Sequence, residues 1–411
     1  MKYLNFGSCN IDNVYSLDHI VRPGETIRSE KLTLFPGGKG LNQSIALARA
    51  GVEVYHAGCV GIDGDMLLDI LRENGVDTTY LRRVNEKNGH AMIQVSKEGD
   101  NSIVIYAGSN AMISCEHIDD ALAHFEKGDV LLLQNEINNL EYLIDSAYKK
   151  EMFIILNPSP INDTIFKLDL SKLSCLILNE GEMRDISGKT DIYEGIEYFE
   201  RNFPKLRIML TLGKDGCIYA FEKERVFHPI FEVNTVDTTA AGDTFTGYFA
   251  AELSSGSDIP TRLRLASCAA AISVSRHGAA PSIPTRPEVL ETLKNMNPKQ
   301  TDKSIDRIKA MICKYVQDNL TSASLGELSE LLGYSEVYTG VLTKRIFAMT
   351  FTKLVQDRRL SFAADLLRTS ELPISDIIKL SGYENESYFR GKFMEKYKQR
   401  PLEYRKKKEK S

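Results

Sequence analysis

The chain has 411 residues, of which 43% are hydrophobic and 26% are charged, and this length favours two domains over a single core. The seven cysteines have no paired C-x-x-C spacing, which argues against a zinc site or a disulfide framework and for a reducing compartment. Neither a signal peptide nor a membrane-spanning stretch is evident, so we expect a cytoplasmic protein with no membrane partner.

The formal net charge of −5 hides an asymmetry along the chain. From Lys299 onward there are 22 Lys and Arg residues against 15 Asp and Glu residues, whereas the residues before it have 29 against 41. An acidic body with a basic C-terminal part suggests that only the C-terminal part meets nucleic acid. A solvated charged surface without such a partner is the alternative.

The first residues predict a strand that runs into a turn at residues 3–8, followed by Asn10 and Asp12. Two polar side chains just past the end of a strand could bind a polyol, or they could serve only as turn residues. Residues 36–43 then form a glycine-rich turn before an alanine-rich helix. Its glycines let the backbone approach a ligand closely.

From residue 90 the chain alternates between strand and helix signals. Residues 90–105 alternate around Gly99-Asp100 like a hairpin, and buried strands are predicted at 130–133 and 153–156. This alternation predicts parallel strands with crossover helices in a three-layer α/β sandwich. Polar residues end several strands, namely Glu136, Asn179 with Glu182, and Thr211.

Residues 235–247 read T-V-D-T-T-A-A-G-D-T-F-T-G and predict a strand, a tight turn and the start of a helix. A helix start presents unpaired amides and a partial positive charge, which suits a phosphate or a transient anion. Asp243 lies in the predicted first turn. It is either a capping carboxylate or a base held beside a phosphate-binding turn.

Together these motifs resemble the signatures of the ribokinase-type (PfkB-type) sugar kinases. Residues 237–243 are similar to the family's catalytic signature, and residues 7–12 and 37–43 are similar to its two sugar-binding signatures. The resemblance covers nearly all of residues 1–294. It implies a three-layer α/β/α ribokinase-like sandwich with a small β lid, and transfer of the γ-phosphoryl group of ATP to a pentose, with O5 of ribose as the expected acceptor.

The resemblance also implies roles for individual residues. Asp243 would take the proton of the sugar hydroxyl, and the backbone of Ala240, Ala241, Gly242 and Asp243 would form the anion hole. The family often has Gly where this chain has Ala240. Sugar contacts are expected from Asn10, Asp12, Gly38, Lys39, Asn42, Glu136 and Asp243. Nucleotide contacts are expected from Asn179, Thr211, Gly213, Gly216 and Gly242.

Two metal ions are implied by the same resemblance. Mg²⁺ would be organised indirectly through Glu182. A K⁺ ion would occupy a cage of mostly neutral oxygens and would order the anion hole without joining the chemistry. The residues expected around it are Asp237, Thr239, Ser273, Arg276, Gly278 and Ser282.

The last part of the chain has a different pattern. Residues 295–304 are polar and interrupted by proline, which predicts a linker between a domain at 1–294 and a domain at 305–411. In the latter only helical periodicity is found, and residues 325–334 recur 49 positions later at 374–383. Each copy predicts an apolar helix, a Gly-Tyr turn and a second helix, so the domain should be all-α with two helix-turn-helix motifs. A duplicated helical module without a DNA role is the alternative.

Residues 373–389 and 400–405 resemble the AraC-family DNA-binding domain. In that family each second helix enters a major groove of double-stranded DNA. The resemblance makes these residues the DNA-binding candidates: Thr339, Thr343 and Lys344 in the first copy, and Asn385, Glu386, Arg390 and Lys392 in the second. Phosphate contacts are expected from Arg345, Arg358, Arg359, Lys396, Lys398 and residues 405–408.

Two functions remain open from sequence. In the first, the protein is a working ribokinase that also regulates transcription, with ATP, Mg²⁺ and K⁺ as cofactors. In the second, it is a transcription regulator whose kinase-like domain only senses a sugar or a nucleotide. The retained Gly242 and Asp243 favour the first function, and a homodimer is expected in either case.

Overall fold

The computed structural model of the protein describes residues 1–222, 224–295, 305–332, 334 and 336–406. The chain divides into two compact units, residues 1–299 and 300–411. Of the predicted linker, Asn295 is the last residue of a helix, and residues 296–304 lie outside the described part.

The first unit contains strands and helices in alternation. Its strands are β1 (Tyr3–Phe6), β2 (Asn10–Ser16), β3 (Lys31–Gly37), β4 (Val54–Val60), β5 (Leu81–Arg83), β6 (Gly89–Val95), β7 (Asn101–Tyr106), β8 (Val130–Gln134), β9 (Phe153–Asn157), β10 (Cys175–Asn179), β11 (Arg207–Thr211), β12 (Cys217–Phe221) and β13 (Glu224–His228). Its helices are α1 (Lys39–Arg49), α2 (Asp65–Glu73), α3 (Cys115–Leu122), α4 (Leu140–Lys149), α5 (Glu180–Ser187), α6 (Ile192–Asn202), α7 (Ala241–Ala251), α8 (Ile259–Val274) and α9 (Arg286–Asn295).

The large sheet has the order β13-β12-β11-β10-β9-β8-β1-β4-β5 among the described strands. Seven neighbouring strands of this sheet are parallel, namely β11, β10, β9, β8, β1, β4 and β5. At one edge β12 and β13 join in antiparallel orientation. The central strands are continuous apolar runs such as Val-Leu-Leu-Leu in β8, which is typical of parallel strands covered on both faces. Tyr3 of β1 pairs with Val54 and Val130, so β1 lies between β4 and β8.

Helices cover both faces of this sheet. Val130 and Leu132 share one core with α1, α7 and α8, so Leu131 and Leu133 point to the opposite face because side chains alternate along a strand. On that opposite side α3 packs with α4, and α5 packs with α6. The predicted three-layer α/β sandwich is therefore confirmed.

A second sheet of order β3-β2-β6-β7 forms the predicted lid. β2 pairs antiparallel with β3 and parallel with β6, and β6 and β7 form the hairpin predicted at residues 90–105. Asn10 and Asp12 belong to β2, so the interpretation of these two as turn residues is wrong. They are strand residues at the base of the lid.

The second unit is helical in its described residues. Its helices are α10 (Ile305–Asp318), α11 (Leu325–Leu332), α12 (Glu336–Phe347), α13 (Phe351–Thr369), α14 (Ile374–Leu380), α15 (Glu386–Tyr397) and α16 (Pro401–Lys406). One core joins α10, α11, α12 and the start of α13, and another joins the end of α13 with α14, α15 and α16. The pairs α11–α12 and α14–α15 are the two predicted helix-turn-helix motifs, with α13 between them.

The internal repeat changes its spacing inside each motif. Leu328 of α11 and Ile377 of α14 are both fully buried and 49 positions apart, as predicted. The second helices instead begin at Glu336 and Glu386, which are 50 positions apart. The second copy therefore has one more residue between its Gly-Tyr pair and its second helix. Gly333 and Ser335 of the first turn lie outside the described residues.

No helix in the described ranges is both long enough and apolar enough to cross a membrane.

Candidate active site and DNA-binding helices

The loop before α7 differs from the predicted strand. Residues 235–239 form no strand pairing, and the backbone amides of Val236 and Asp237 donate instead to the carbonyl oxygen of Val274 at the end of α8. Ala240 precedes the helix with a φ of 61°, in the left-handed region that favours glycine. This geometry explains why glycine suits the position. It also lets α7 begin abruptly at Ala241.

The start of α7 is open, as an anion hole requires. A Cβ atom added to Gly242 would meet no other heavy atom within 4 Å. Helix geometry leaves the first amides without intrahelical partners, so those of Gly242 and Asp243 are available to an anion. The amide of Ala241 donates to the carbonyl oxygen of Thr238 at 3.3 Å, so it is already engaged.

The carboxylate of Asp243 is held by side chains of α1. It is 8% exposed, its Oδ2 accepts from Asn42 Nδ2 at 3.0 Å, and its Oδ1 accepts from Gln43 Nε2 at 2.9 Å. Both oxygens are thus bound by another helix, which does not fit the capping interpretation. Asn42 was predicted to lie near the sugar. Gln43 was part of the same motif but was not singled out.

The other predicted sugar-binding residues converge beside the start of α1. Gly38 has a φ of 93°, and a Cβ atom there would lie 2.9 Å from the backbone nitrogen of Asn10, so this approach requires glycine. Glu136 accepts from the Ser8 hydroxyl and from the Lys39 backbone amide at 3.1 Å. Asn10 Oδ1 accepts from Asn110 Nδ2 at 2.7 Å. Ser8 and Asn110 are polar residues of this cluster that sequence reasoning did not single out.

Charges are concentrated in this cluster. Burial, reinforced by the charge of Glu136, raises the pKa of Asp12 to about 6. Burial also raises the pKa of Glu136, although Lys39 opposes this shift. For Lys39 burial acts to lower the pKa, but the charges of Asp243, Glu136 and Glu182 outweigh it and the pKa is raised. Lys39 therefore stays cationic between three carboxylates.

A cavity of about 230 Å³ opens next to Asp243. It is lined by residues from the ends of β9, β10 and β11 and from the start of α7: Lys39, Asn157, Ser159, Ile177, Leu178, Asn179, Glu182, Thr211, Thr238, Ala240, Gly242, Asp243 and Thr246. The predicted nucleotide residues Asn179, Thr211 and Gly242 are among them. Asn157, Ser159, Thr238 and Thr246 were not predicted, although the first two end a predicted strand.

Asn179 and Glu182 also have a structural role. Asn179 caps α5 by accepting from the Glu182 amide, and Glu182 accepts from the Asn179 amide, each at 2.9 Å. This reciprocal pair is a capping box. It fixes Glu182 at the cavity wall with its second carboxylate oxygen outside the pair.

Gly213 and Gly216 lie in the turn between β11 and β12, outside the cavity lining. Gly216 has a φ of 114°, and a Cβ atom there would lie 2.1 Å from the carbonyl oxygen of His228. Close approach to β13 therefore explains this glycine, and the structure gives it no position on the cavity wall.

The residues predicted around K⁺ come together in two loops. Asp237 accepts from the amides of Thr239 and Gly278, both at 2.9 Å, and these bonds lower its pKa although burial opposes the shift. The fully buried hydroxyls of Ser273 and Ser282 are 2.8 Å apart. The side chain of Arg276 points to an ion pair with Glu288, so only its backbone is available to this site.

The DNA-binding candidates separate into exposed and buried residues. In α15, Asn385, Glu386 and Arg390 are exposed, and Asn385 caps the helix through the Tyr388 amide. Glu386 pairs with Arg390, and Lys392 pairs with Glu395 at 2.9 Å. In α12, Lys344 is half-buried.

Thr339 and Thr343 of α12 are fully buried, so the prediction that they contact DNA is wrong. The spacing of 50 makes them the counterparts of Phe389 and Phe393, which fill the core of the second motif. Thr343 Oγ1 donates to the carbonyl oxygen of Thr339 at 2.7 Å. The resemblance had made them candidates, and the burial of their side chains overturns that assignment.

Three of the predicted phosphate contacts are internal instead. Arg359 donates to the carbonyl oxygens of Leu320, Thr321 and Gly382. Lys396 pairs with Asp357, and Arg405 donates to the carbonyl oxygen of Leu372. Arg345, Arg358 and Lys398 are exposed, and residues 407–408 lie outside the described part.

Comparisons with known proteins agree with these two units. Residues 2–286 match the model described as pfkB family carbohydrate kinase, and residues 328–407 match a helix-turn-helix domain model. The chain is 36% identical over 291 residues to a ribokinase of Bacillus subtilis (strain 168), which covers 70% of this chain and 97% of that protein.

Two solved structures are similar to the first unit. The Thermotoga maritima ribokinase is 36% identical with a TM-score of 0.64, and the alignment covers 71% of this chain and 99% of that one. The Arabidopsis thaliana ribokinase complexed with ribose and ATP is 28% identical with a TM-score of 0.63, and the alignment covers 71% and 98%.

Proposed function

This chain belongs to the pfkB family of carbohydrate kinases and carries a C-terminal AraC-type helix-turn-helix domain, and we propose that it transfers the γ-phosphoryl group of ATP to O5 of ribose. The observation that carries the proposal is the position of Asp243. Its carboxylate is oriented by Asn42 and Gln43 at the wall of a cavity, next to the open start of α7. A base beside an anion site is what phosphoryl transfer to an alcohol requires.

In this mechanism Asp243 takes the proton of the 5-hydroxyl as O5 attacks the γ-phosphorus of ATP. The bond from phosphorus to the bridging oxygen breaks, and ADP leaves. The amides of Gly242 and Asp243 and the ammonium group of Lys39 stabilise the charge on the transferring group. Asn10, Asp12, Gly38, Asn42 and Glu136 hold the sugar. Asn179 and Thr211 line the cavity where the phosphates of ATP are expected, and Gly213 and Gly216 lie in the turn after β11, outside that lining.

Mg²⁺ and K⁺ belong to this proposal. Mg²⁺ prefers oxygen ligands and keeps several of its water ligands in proteins. The second carboxylate oxygen of Glu182 and the side chains of Asn157 and Asn179 lie on the same cavity wall and would hold these waters. When bound, Mg²⁺ neutralises phosphate charge. The buried hydroxyl oxygens of Ser273 and Ser282 suit a K⁺ cage together with backbone oxygens of Thr239, Arg276 and Gly278, and Asp237 holds these loops in place through the amides of Thr239 and Gly278.

We also propose that the protein is a transcription regulator that acts in the cytoplasm, where ATP and DNA are both present. The exposed face of α15 with Asn385, Glu386 and Arg390 supports binding in a DNA major groove. Sugar-utilisation genes are the expected targets, because the same chain recognises a sugar. A ligand can shift DNA binding only by its differential affinity for two states of the protein.

A homodimer is the proposed assembly. Leu34, Met92 and Val104 lie in one register across the lid, with Asn13 of β2 between Leu34 and Met92, and each of the three is about half exposed. Exposed apolar side chains gathered on one face of a sheet favour association. We expect sedimentation of the wild-type protein as a dimer and of Val104→Asp as a monomer, and a wild-type monomer would contradict this assembly.

The experiment that tests the kinase proposal is ATP turnover by the full-length protein with a panel of pentoses, hexoses and nucleosides, with and without K⁺. We expect Mg²⁺-dependent turnover with ribose that K⁺ stimulates. Binding of ribose without turnover of any sugar would contradict it and would favour the alternative of a sensor without catalysis.

The regulatory proposal has its own test. DNA fragments that the protein binds would first be selected from a random duplex library. The affinity of the protein for these fragments would then be measured at fixed salt, with and without ribose and ATP. We expect the affinity for the selected fragments to change when both ligands are present. An unchanged affinity would contradict sensing.

A further inference from the structure

A row of buried amide side chains lies beneath the carboxylate of Asp243. It consists of Gln43 on α1, Gln134 at the end of β8 and Asn5 in β1, all fully buried. Gln43 Nε2 donates to Asp243 Oδ1 at 2.9 Å. Gln134 Nε2 donates to Gln43 Oε1 at 2.7 Å and to Asn5 Oδ1 at 2.9 Å. The row joins three separate elements to one oxygen atom of the base.

The direction of every bond in the row follows from one backbone carbonyl. The oxygen and nitrogen of an amide side chain are distinguished only by their partners. Asn5 Nδ2 lies 2.7 Å from the carbonyl oxygen of Gly40, which can only accept, so Asn5 presents its oxygen to Gln134. Gln134 then presents its nitrogen to Gln43. Gln43 accepts with its oxygen and has only its nitrogen left for Asp243.

We propose that Gln43 is a positioning residue for phosphoryl transfer, locked by Gln134 and Asn5 so that it always donates a hydrogen bond to Asp243. This proposal rests on the proposed kinase function. With Asn42 Nδ2 on the other oxygen at 3.0 Å, the plane of the carboxylate is fixed before the sugar arrives. Each carboxylate oxygen keeps acceptor capacity for the sugar hydroxyl, because one hydrogen bond does not exhaust it.

The row is maintained at a cost in folding free energy. Gln134 Oε1 and Asn42 Oδ1 are buried without a hydrogen-bond partner in the described part of the chain. The backbone also makes room for the row, because a Cβ atom on Gly7 would lie 2.3 Å from Gln134 Oε1. An apolar residue in place of Gln134 would avoid the unpaired oxygen. The orientation that Gln134 imposes on Gln43 explains why the polar residue is useful here.

The test is the pH profile of turnover in Gln43→Glu, with ribose and MgATP as substrates. The new carboxylate would face Asp243 at hydrogen-bond distance, and two such carboxylates share a proton. Lys39 and Glu136 interact electrostatically with Asp243, and Glu182 interacts with Lys39. We expect the acidic limb of the kcat profile to move up by about one pH unit or more. Near neutral pH, kcat should fall by about tenfold and recover at higher pH. The KM for ribose should stay within about threefold of the wild-type value.

The matched control is Gln317→Glu on α10, which adds the same charge at an exposed position of the other unit. It should leave the pH profile unchanged. If Gln43→Glu does not fold, Gln43→Met removes the donor without adding charge. Loss of a donor to the ionised carboxylate should still move the acidic limb upward, by less than the charged variant does.

Gln134→Glu tests the direction of the row at a residue that does not touch Asp243. Glutamate has no nitrogen to donate, so Gln43 would turn its nitrogen toward residue 134 and its oxygen toward Asp243. We expect the acidic limb to move upward here too. If the wild type is active, two results overturn the positioning role. In one, Gln43→Glu has the same pH profile as the wild type; in the other, its turnover is lowered equally at every pH and its melting temperature falls as well. A wild type without turnover overturns the kinase function itself and this role with it.

Discussion

The proposed catalytic residues of the first unit and the proposed DNA-binding residues of the second are held in place in opposite ways. Asp243 is buried, and its two oxygens are held by Asn42 and Gln43 from another helix. Glu386 and Arg390 are exposed, and each is the other's partner within one turn of α15. The proposed kinase site is therefore built by the tertiary fold, whereas the proposed DNA-binding surface is built by a single helix.

This difference sets the size of the effects expected from substitution. A buried polar group that loses its partner costs much more than an exposed one, because water cannot replace the bond. An exposed ion pair four residues apart on a helix contributes little and can exchange its partner for DNA. We expect large, salt-insensitive effects in the first unit and smaller, salt-dependent effects in the second.

The largest effect is expected from Asp243→Asn, which keeps the shape of the side chain and removes the base. The kcat for ribose should fall by about 10²–10⁴-fold, while ribose binding measured by calorimetry and DNA affinity stay close to wild type. Asp69→Asn at an exposed position of α2 is the control and should retain turnover. Full turnover by Asp243→Asn would remove the base from the mechanism.

An intermediate effect is expected from Arg390→Ala. Loss of a base contact should weaken binding to selected DNA by about tenfold and leave ribose turnover unchanged, because Arg390 lies in the other unit. Fluorescence anisotropy at two salt concentrations measures this loss. The exposed Arg201 provides the control Arg201→Ala in the first unit. Equal weakening by both variants would mean that only net charge matters.

A smaller effect is expected from pH at the lid. Asp12 has a pKa raised to about 6, so its ionised form, the stronger acceptor for sugar hydroxyls, is lost as the pH falls through 6. The KM for ribose should therefore rise severalfold between pH 7 and pH 5, and Asp12→Asn should flatten this dependence. Because burial disfavours the charge, the same group should lower the free energy of unfolding as the pH rises from about 4 to about 6.

The smallest effect is expected in the core of the first helix-turn-helix motif. Thr339 Oγ1 is buried without a hydrogen-bond partner in the described part of the chain, so Thr339→Val should raise the free energy of unfolding by about 1 kcal/mol. Thr343→Val is the matched control, because its hydroxyl does donate, to the Thr339 carbonyl oxygen. It should not stabilise the protein. Equal effects in chemical denaturation would contradict the assignment.

The sequence predicted more of the first unit than of the second because its signals are local. Asn42 and Asp243 each lie in a short motif at a helix start, and their meeting across 201 positions follows once both motifs end at the same sheet edge. The polarity of the Gln43 bond could not be predicted, because it depends on Asn5 in β1 and Gln134 in β8, both distant in sequence, and on the Gly40 carbonyl of its own helix.

The errors have equally specific causes. The β-branched run before Asp237 indicated a strand, but its amides bond to the end of α8. In the second unit the resemblance assigned Thr339 and Thr343 to the DNA-facing side of α12, whereas both side chains are fully buried. Consecutive residues of a helix are about 100° apart, so an error of one position exchanges exposed and buried residues on such a helix.

The central claim is that this chain is a working sugar kinase. The most direct measurement is phosphorus-31 NMR of a mixture of ribose, ATP, Mg²⁺, K⁺ and the full-length protein. We expect signals of ADP and of a phosphate ester at O5 of ribose to grow together with the wild type and to be absent with Asp243→Asn on the same timescale. An ATP signal that persists unchanged with the wild type, while ribose still binds, would contradict the claim.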